Sequence, residues 1–211
     1  MSVLKMPALM TTWRVLAAAM LAVFLSGAAA DAQQPARIRG QIEKADGATL
    51  ALKTRDGAML NVTVAGDARV AALNKATLAD IQTDTFIGIA GMPQADDSIE
   101  AFSIHIFLPA QRGVVPDRHG PWDARPNSTM TNAYVTSAVK SKDGDTLTVK
   151  YKDGEKKIKV TPQTAITAVA PGSKDELKAG ASIIIMGSEK APDGAVVAKT
   201  IYIGRGVVPA M

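Results

Sequence analysis

The chain has 211 residues, with 24 Lys and Arg against 20 Asp and Glu for a net charge of +4, two histidines and no cysteine. The missing thiols exclude a disulfide framework, a thiolate nucleophile, a cysteine metal site and a lipid-anchoring cysteine. The small basic excess is too weak to point to nucleic acid by composition.

Lys5 and Arg14 precede an uncharged apolar run, Val15 to Leu25, that closes in small residues from Ser26 to Ala30. A charged start, an apolar middle and a small-residue end form a secretory signal. The 16 residues from Val15 to Ala30 fall short of the roughly 20 that a membrane-spanning helix needs. Small-x-small cleavage signals stand before Asp31 and before Gln33, and the second assigns residues 1–32 to the signal. The remainder is expected to be a soluble exported protein, periplasmic or secreted. No later segment is apolar for long enough to span a bilayer; the longest candidates, such as "SIIIM" at 182–186, have strand length. A permease is excluded on that ground. Removing Lys5, Arg14 and Asp31 leaves 22 basic and 19 acidic groups, a net +3, distributed unevenly: residues 33–110 carry 7 basic and 9 acidic, residues 132–211 carry 12 and 8.

From Ile38 onward the chain says the same thing twice. Ile38, Gly40 and Ile42 fall on Val135, Ser137 and Val139 at an offset of 97, and Leu50 and Leu52 fall on Leu147 and Val149. After one inserted residue the offset is 96, placing Val62, Val64, Ile87 and Ile89 on Ile158, Val160, Ile183 and Ile185, before it returns to 97 for Ile104 and Ile106 against Ile201 and Ile203. Both copies end in "RGVVP", at Arg112–Pro116 and Arg205–Pro209. This is an internal duplication.

Within a copy, apolar and polar residues alternate over short runs, the signature of strands with one buried face. Asp-Gly pairs at 46, 56, 143, 153 and 193 bound the runs. They read as hairpin turns, where Gly accepts positive φ, ahead of acid catalysts or calcium ligands. Between the third and fourth strands Thr77 precedes Asp80 and Ser173 precedes Glu176 by three, the form of a capping box opening a helix of one or two turns. Three strands, a short helix and two strands per copy predict an all-β protein of two tandem five-stranded OB-like barrels, residues 33–108 and 132–211, with a joint β-sandwich as the alternative.

The tandem copies, the "HGPWD...NSTMTNA" joint at His119–Ala133 and the "TVKYKDGEKKIKV" hairpin resemble an exported bacterial family of unknown function built from tandem small OB-like β-barrels. Its members are often labelled automatically as metal ABC transporter permeases. The resemblance spans nearly all of the chain after the signal and implies that fold, with no catalytic residues to carry over.

Residues 109–131 read as a proline-rich connector. Its Trp122 either packs against a barrel and pins the connector or offers a stacking platform to a ligand. Neither His105 nor His119 has catalytic company, and no HxH, HxxxH or HExxH spacing is present. Asp96-Asp97 is the adjacent carboxylate pair, and it sits in a loop. No phosphate-binding glycine loop follows a strand. No cofactor, metal or catalytic residue is expected.

A turn at Asp153-Gly154 predicts that Lys150 faces Lys157 across the hairpin, with Lys152 facing Glu155 and Thr148 facing Lys159. Opposed like charges cost a few tenths of a kcal/mol up to about 1, so Lys150, Lys152, Lys157 and Lys159 form a face that is either wet, guarding an edge, or meets an anion. The first copy offers only Lys53 and Arg55 at matching places, and the face lacks the aromatic groups that oligonucleotide sites interleave, so nucleic acid is disfavoured. The sequence thus predicts a non-enzymatic exported binding module, with Lys150, Lys152, Lys157, Lys159 and Trp122 as candidate contacts for an anionic envelope polymer or a protein partner. A periplasmic metal-handling accessory and a hydrolase with a dispersed site are the alternatives.

Overall fold

A computed structural model describes residues 37–139 and 144–210. The expected signal, residues 1–32, and Asp143 of the third Asp-Gly pair lie outside the described residues. The first copy supplies β1 (Ile38–Asp46), β2 (Thr49–Thr54), β3 (Met59–Lys75), β4 (Phe86–Pro93) and β5 (Ile99–Ile106); the connector supplies β6 (Arg118–Pro121). The second copy supplies β7 (Thr129–Val139), β8 (Asp145–Tyr151), β9 (Gly154–Pro171), β10 (Ser182–Lys190) and β11 (Val196–Arg205). Where a short helix was expected, each copy makes a single 3-10 turn, Leu78–Asp80 and Lys174–Glu176. The expected side chains open both turns: Asp80 accepts from the Thr77 N–H at 2.8 Å and Glu176 from the Ser173 N–H at 2.9 Å.

The strands close into five-membered rings, and the rings do not follow the copies. β1 pairs β2 and β2 pairs β3, but the ring is completed by β11, parallel to β3, and by β10, antiparallel to both β11 and β1. In the same way β7, β8 and β9 are closed by β5, parallel to β9, and by β4. Each ring therefore takes its first three strands from one copy and its last two from the other. The expectation that residues 33–108 and 132–211 each close a barrel of their own is corrected to this exchange.

The cores confirm the partition. Ile42, Leu50, Leu52 and Val62 pack with Ile183, Ile185, Ile201 and Ile203, while Leu147, Val149 and Ile158 pack with Ile87, Ile89, Ile99 and Ile104. The inward residues are those that the period-2 alternation marks, because a strand's side chains point to opposite faces whichever copy its neighbour comes from. Similar copies make exchange nearly neutral, since each receiving ring meets almost the same side chains.

The long strands β3 and β9 decide the direction. Their ends run antiparallel across one another, pairing Ala71–Lys75 with Thr167–Pro171, and each chain then continues into the other ring. Leu73 and Val169, at the centre of this crossing, join Ala90, Met130, Ile184 and Trp122 in a third apolar cluster between the rings.

The hairpin of β8 and β9 turns at Lys152-Asp153, pairing Tyr151 with Gly154, two residues away from the expected register. Lys150 stands opposite Glu155, and Lys157 opposite Thr148, so the predicted lysine–lysine opposition does not occur. The Tyr151 hydroxyl lies 3.3 Å from where a Gly154 Cβ would stand, so the glycine leaves room for the ring in this register. A slip of two residues keeps every side chain on its face, and all four lysines remain exposed.

Candidate functional site

Two clefts occupy the same place in the repeat. One, of about 560 Å³, is lined by Arg37–Arg39 of β1, Thr54 and Arg55 after β2, and Asp123 and Ala124 of the connector. The other, of about 460 Å³, is lined by Tyr134–Thr136 of β7, Lys150–Lys152 after β8, Asp117 of the connector, and Thr83 and Asp84 before β4. At the repeat offset of 97, Arg37, Arg39, Thr54 and Arg55 fall on Tyr134, Thr136, Tyr151 and Lys152. Each cleft forms where the first strand of a copy leaves the sheet beside the turn joining the second and third strands.

The first cleft is an arginine cluster held by one carboxylate. Arg39 donates to Asp123 at 2.8 Å, Arg37 approaches the same carboxylate at 3.5 Å, and Arg55 reaches the Ala124 carbonyl at 3.4 Å. The Arg37 guanidinium lies 3.8 Å from the Trp122 ring centroid, a cation–π contact. Burial lowers the Arg37 pKa; Asp123 opposes that, and neighbouring Arg39 and Arg118 add to it. Trp122 is only 8% exposed. Its ring is packed between the barrels and capped by Arg37, so it pins the connector and presents no open stacking face. Its Nε1 has no hydrogen-bond partner among the described residues, a cost of about 1–3 kcal/mol that burial of so large a ring offsets.

In the second cleft Lys150 stands between Tyr134 on β7 and Glu155 on β9. Tyr134 packs on Phe86 at 4.7 Å between centroids, and Arg112, which pairs with Asp84 at 2.9 Å, lies 5.6 Å from the Tyr134 ring. Lys150 therefore does have an aromatic neighbour, Tyr134 across the ladder, whereas Tyr151 lies on the opposite face and packs against the interior cluster. Lys157 and Lys159 belong elsewhere. Lys159 pairs with Asp96 at 2.8 Å and sits opposite Glu100 of β5. That contact comes first among those holding the Asp96 carboxyl well below its usual range, with Ser98 next. Lys156, which the sequence reading passed over, reaches Asp97 at 2.5 Å. The carboxylate pair Asp96-Asp97 is thus engaged by lysines.

The histidines are structural in their contacts. His105 is 3% exposed, edge-on to Phe107 at 4.6 Å and wedged over Gly88, where a Cβ would collide with its ring. Burial lowers its pKa to about 3. His119 places Nδ1 2.8 Å from the Thr131 hydroxyl and its ring 5.9 Å from that of Tyr151. Among the described residues no group of three or more His, Asp or Glu could hold a metal ion, and no helix is long and apolar enough to cross a membrane. No family model, curated protein or solved structure matches the chain.

Arg55 was legible in the sequence as the counterpart of Lys152. Arg37 and Arg39 were missed because their value depends on Asp123 and Trp122, more than eighty residues away in sequence.

Proposed function

We propose that the chain is a non-enzymatic, exported binding module of OB-like barrels that recognises anionic groups through its paired clefts. One observation carries this reading: in each copy the turn after the second strand sets a cation into the cleft, Arg55 in one and its counterpart Lys152 in the other, joined by Arg37 and Arg39 in the first and by Lys150 in the second. Turn and solubility requirements do not demand cations at that place twice. The ring order, first strand to second, third, fifth, fourth and back, with third and fifth parallel, supports the OB-like assignment. On such barrels the faces and loops of the early strands carry ligand contacts. The four lysines divide: Lys150 and Lys152 serve the cleft, whereas Lys157 and Lys159 keep the sheet surface polar, Lys159 partly neutralised by Asp96 and Glu100.

Retention on immobilised heparin, eluted by a salt gradient, tests the proposal with the whole chain. Retention is expected to fall with ionic strength and to weaken in Arg55→Gln and in Lys150→Gln/Lys152→Gln, all exposed positions. Passage through the column in low salt, or retention unchanged by these substitutions, would overturn it.

A further inference from the structure

The connector ties the clefts together. Asp117 lines one and Asp123 the other, so extended chain between them spans no more than about 20 Å at ~3.3 Å per residue. Between them lies β6, which among the described residues pairs only with β7 and forms one end of the sheet order. Its exposed Arg118 stands opposite Asn132, one diagonal step of roughly 7–8 Å from Tyr134 on the same face. On its other side Arg118 is near enough to Arg37 to act on its charge. Arg118 therefore stands between the lysines of one cleft and the arginines of the other.

We propose that the two clefts are subsites for one extended ligand, an acidic glycan that crosses β6 over Arg118. This rests on the anion-binding reading above. The chemistry favours a glycan over a nucleic acid or polyphosphate because each cleft mixes its cations with carboxylates, Asp84 and Asp117 in one and Asp56 and Asp123 in the other. Phosphodiester and polyphosphate groups bring no hydrogen-bond donor to those carboxylates. A sugar chain offers hydroxyl donors to those carboxylates, a ring face to Tyr134, and spaced acid groups to the lysines and arginines. Arginine forks bind such acid groups bidentately.

Titration calorimetry on the whole chain with heparin-derived oligosaccharides of defined length tests this, comparing a disaccharide with a dodecasaccharide. One long chain bridging both clefts is expected to bind one protein at least about tenfold more tightly than the disaccharide, the gain that linking two weak sites supplies. Arg118→Gln is expected to remove most of that length preference, lowering dodecasaccharide affinity by a larger factor than disaccharide affinity. Equal affinity for both lengths, two long chains per protein, or an Arg118→Gln variant that keeps the length preference would overturn the bridging proposal and leave anion binding standing. Absence of binding at either length would overturn both. Tighter binding of single-stranded DNA of matched length would overturn the assignment to a glycan.

Discussion

Leu73 of β3 stands directly opposite Val169 of β9, and the two residues are each other's counterparts in the repeat at an offset of 96. A residue facing its own equivalent marks the local two-fold axis relating the copies. Around it Ala71 pairs with Pro171 and Lys75 with Thr167, which are likewise exchanged by the repeat. The strands cross at this point, and everything beyond it belongs to the opposite ring.

Because each ring needs strands from both copies, the barrels should not unfold separately. Urea denaturation followed by far-ultraviolet and near-ultraviolet circular dichroism is expected to show one coincident transition. Leu73→Ala, at a position 1% exposed between the rings, should lower stability by about 2–5 kcal/mol. Two resolved transitions would mean that the copies fold alone.

A break in the connector should leave the halves together. Val114 is 73% exposed and offers a place for an engineered protease site. After cleavage the fragments are expected to co-elute in native gel filtration and to separate only in denaturant, since five pairings, β1–β10, β3–β11, β4–β7, β5–β9 and β3–β9, cross the cut. Separation under native conditions would contradict the exchanged rings.

His105 should make the protein acid-sensitive. Its folded pKa, about 3 because of burial, lies below the unfolded value near 6.5. Between those values the unfolded chain binds a proton that the folded chain refuses, so stability rises with pH across that window and is lost as pH falls from about 6.5 toward 3. The slope is at most ~1.4 kcal/mol per pH unit. His105→Gln should flatten this part of the stability curve, measured by urea midpoints at successive pH values. Gly88→Ala should be destabilising at every pH, because the new methyl meets the imidazole ring.

Asp123 should be the connector's most sensitive charge. It faces Arg37 and Arg39, whose side chains are 15% and 9% exposed, and removing one partner of a largely buried charge set leaves the others uncompensated. Asp123→Ala is expected to cost about 2–4 kcal/mol in thermal or urea unfolding, more than Asp46→Ala, whose partner Lys44 is 74% exposed and whose pairing is worth about 0–1 kcal/mol. Equal effects of the two substitutions would remove Asp123 from this role.

By itself the sequence determined the local facts. Strand alternation marked Leu50, Leu52, Leu147 and Val149 as inward, Thr77–Asp80 and Ser173–Glu176 as capped turns, and the repeat as two sets of like strands. These follow from side-chain geometry within a few residues. Only the tertiary structure decided which set completes which ring, because copies with nearly the same apolar pattern satisfy either partner, and the choice lies in how β3 and β9 cross. The same holds for the candidate site. Lys150 and Lys152 were visible as charges in a hairpin, but Tyr134, Arg37 and Asp123 join them only after strands distant in sequence are brought to one edge, where burial and Coulomb interactions act through space without regard to chain order.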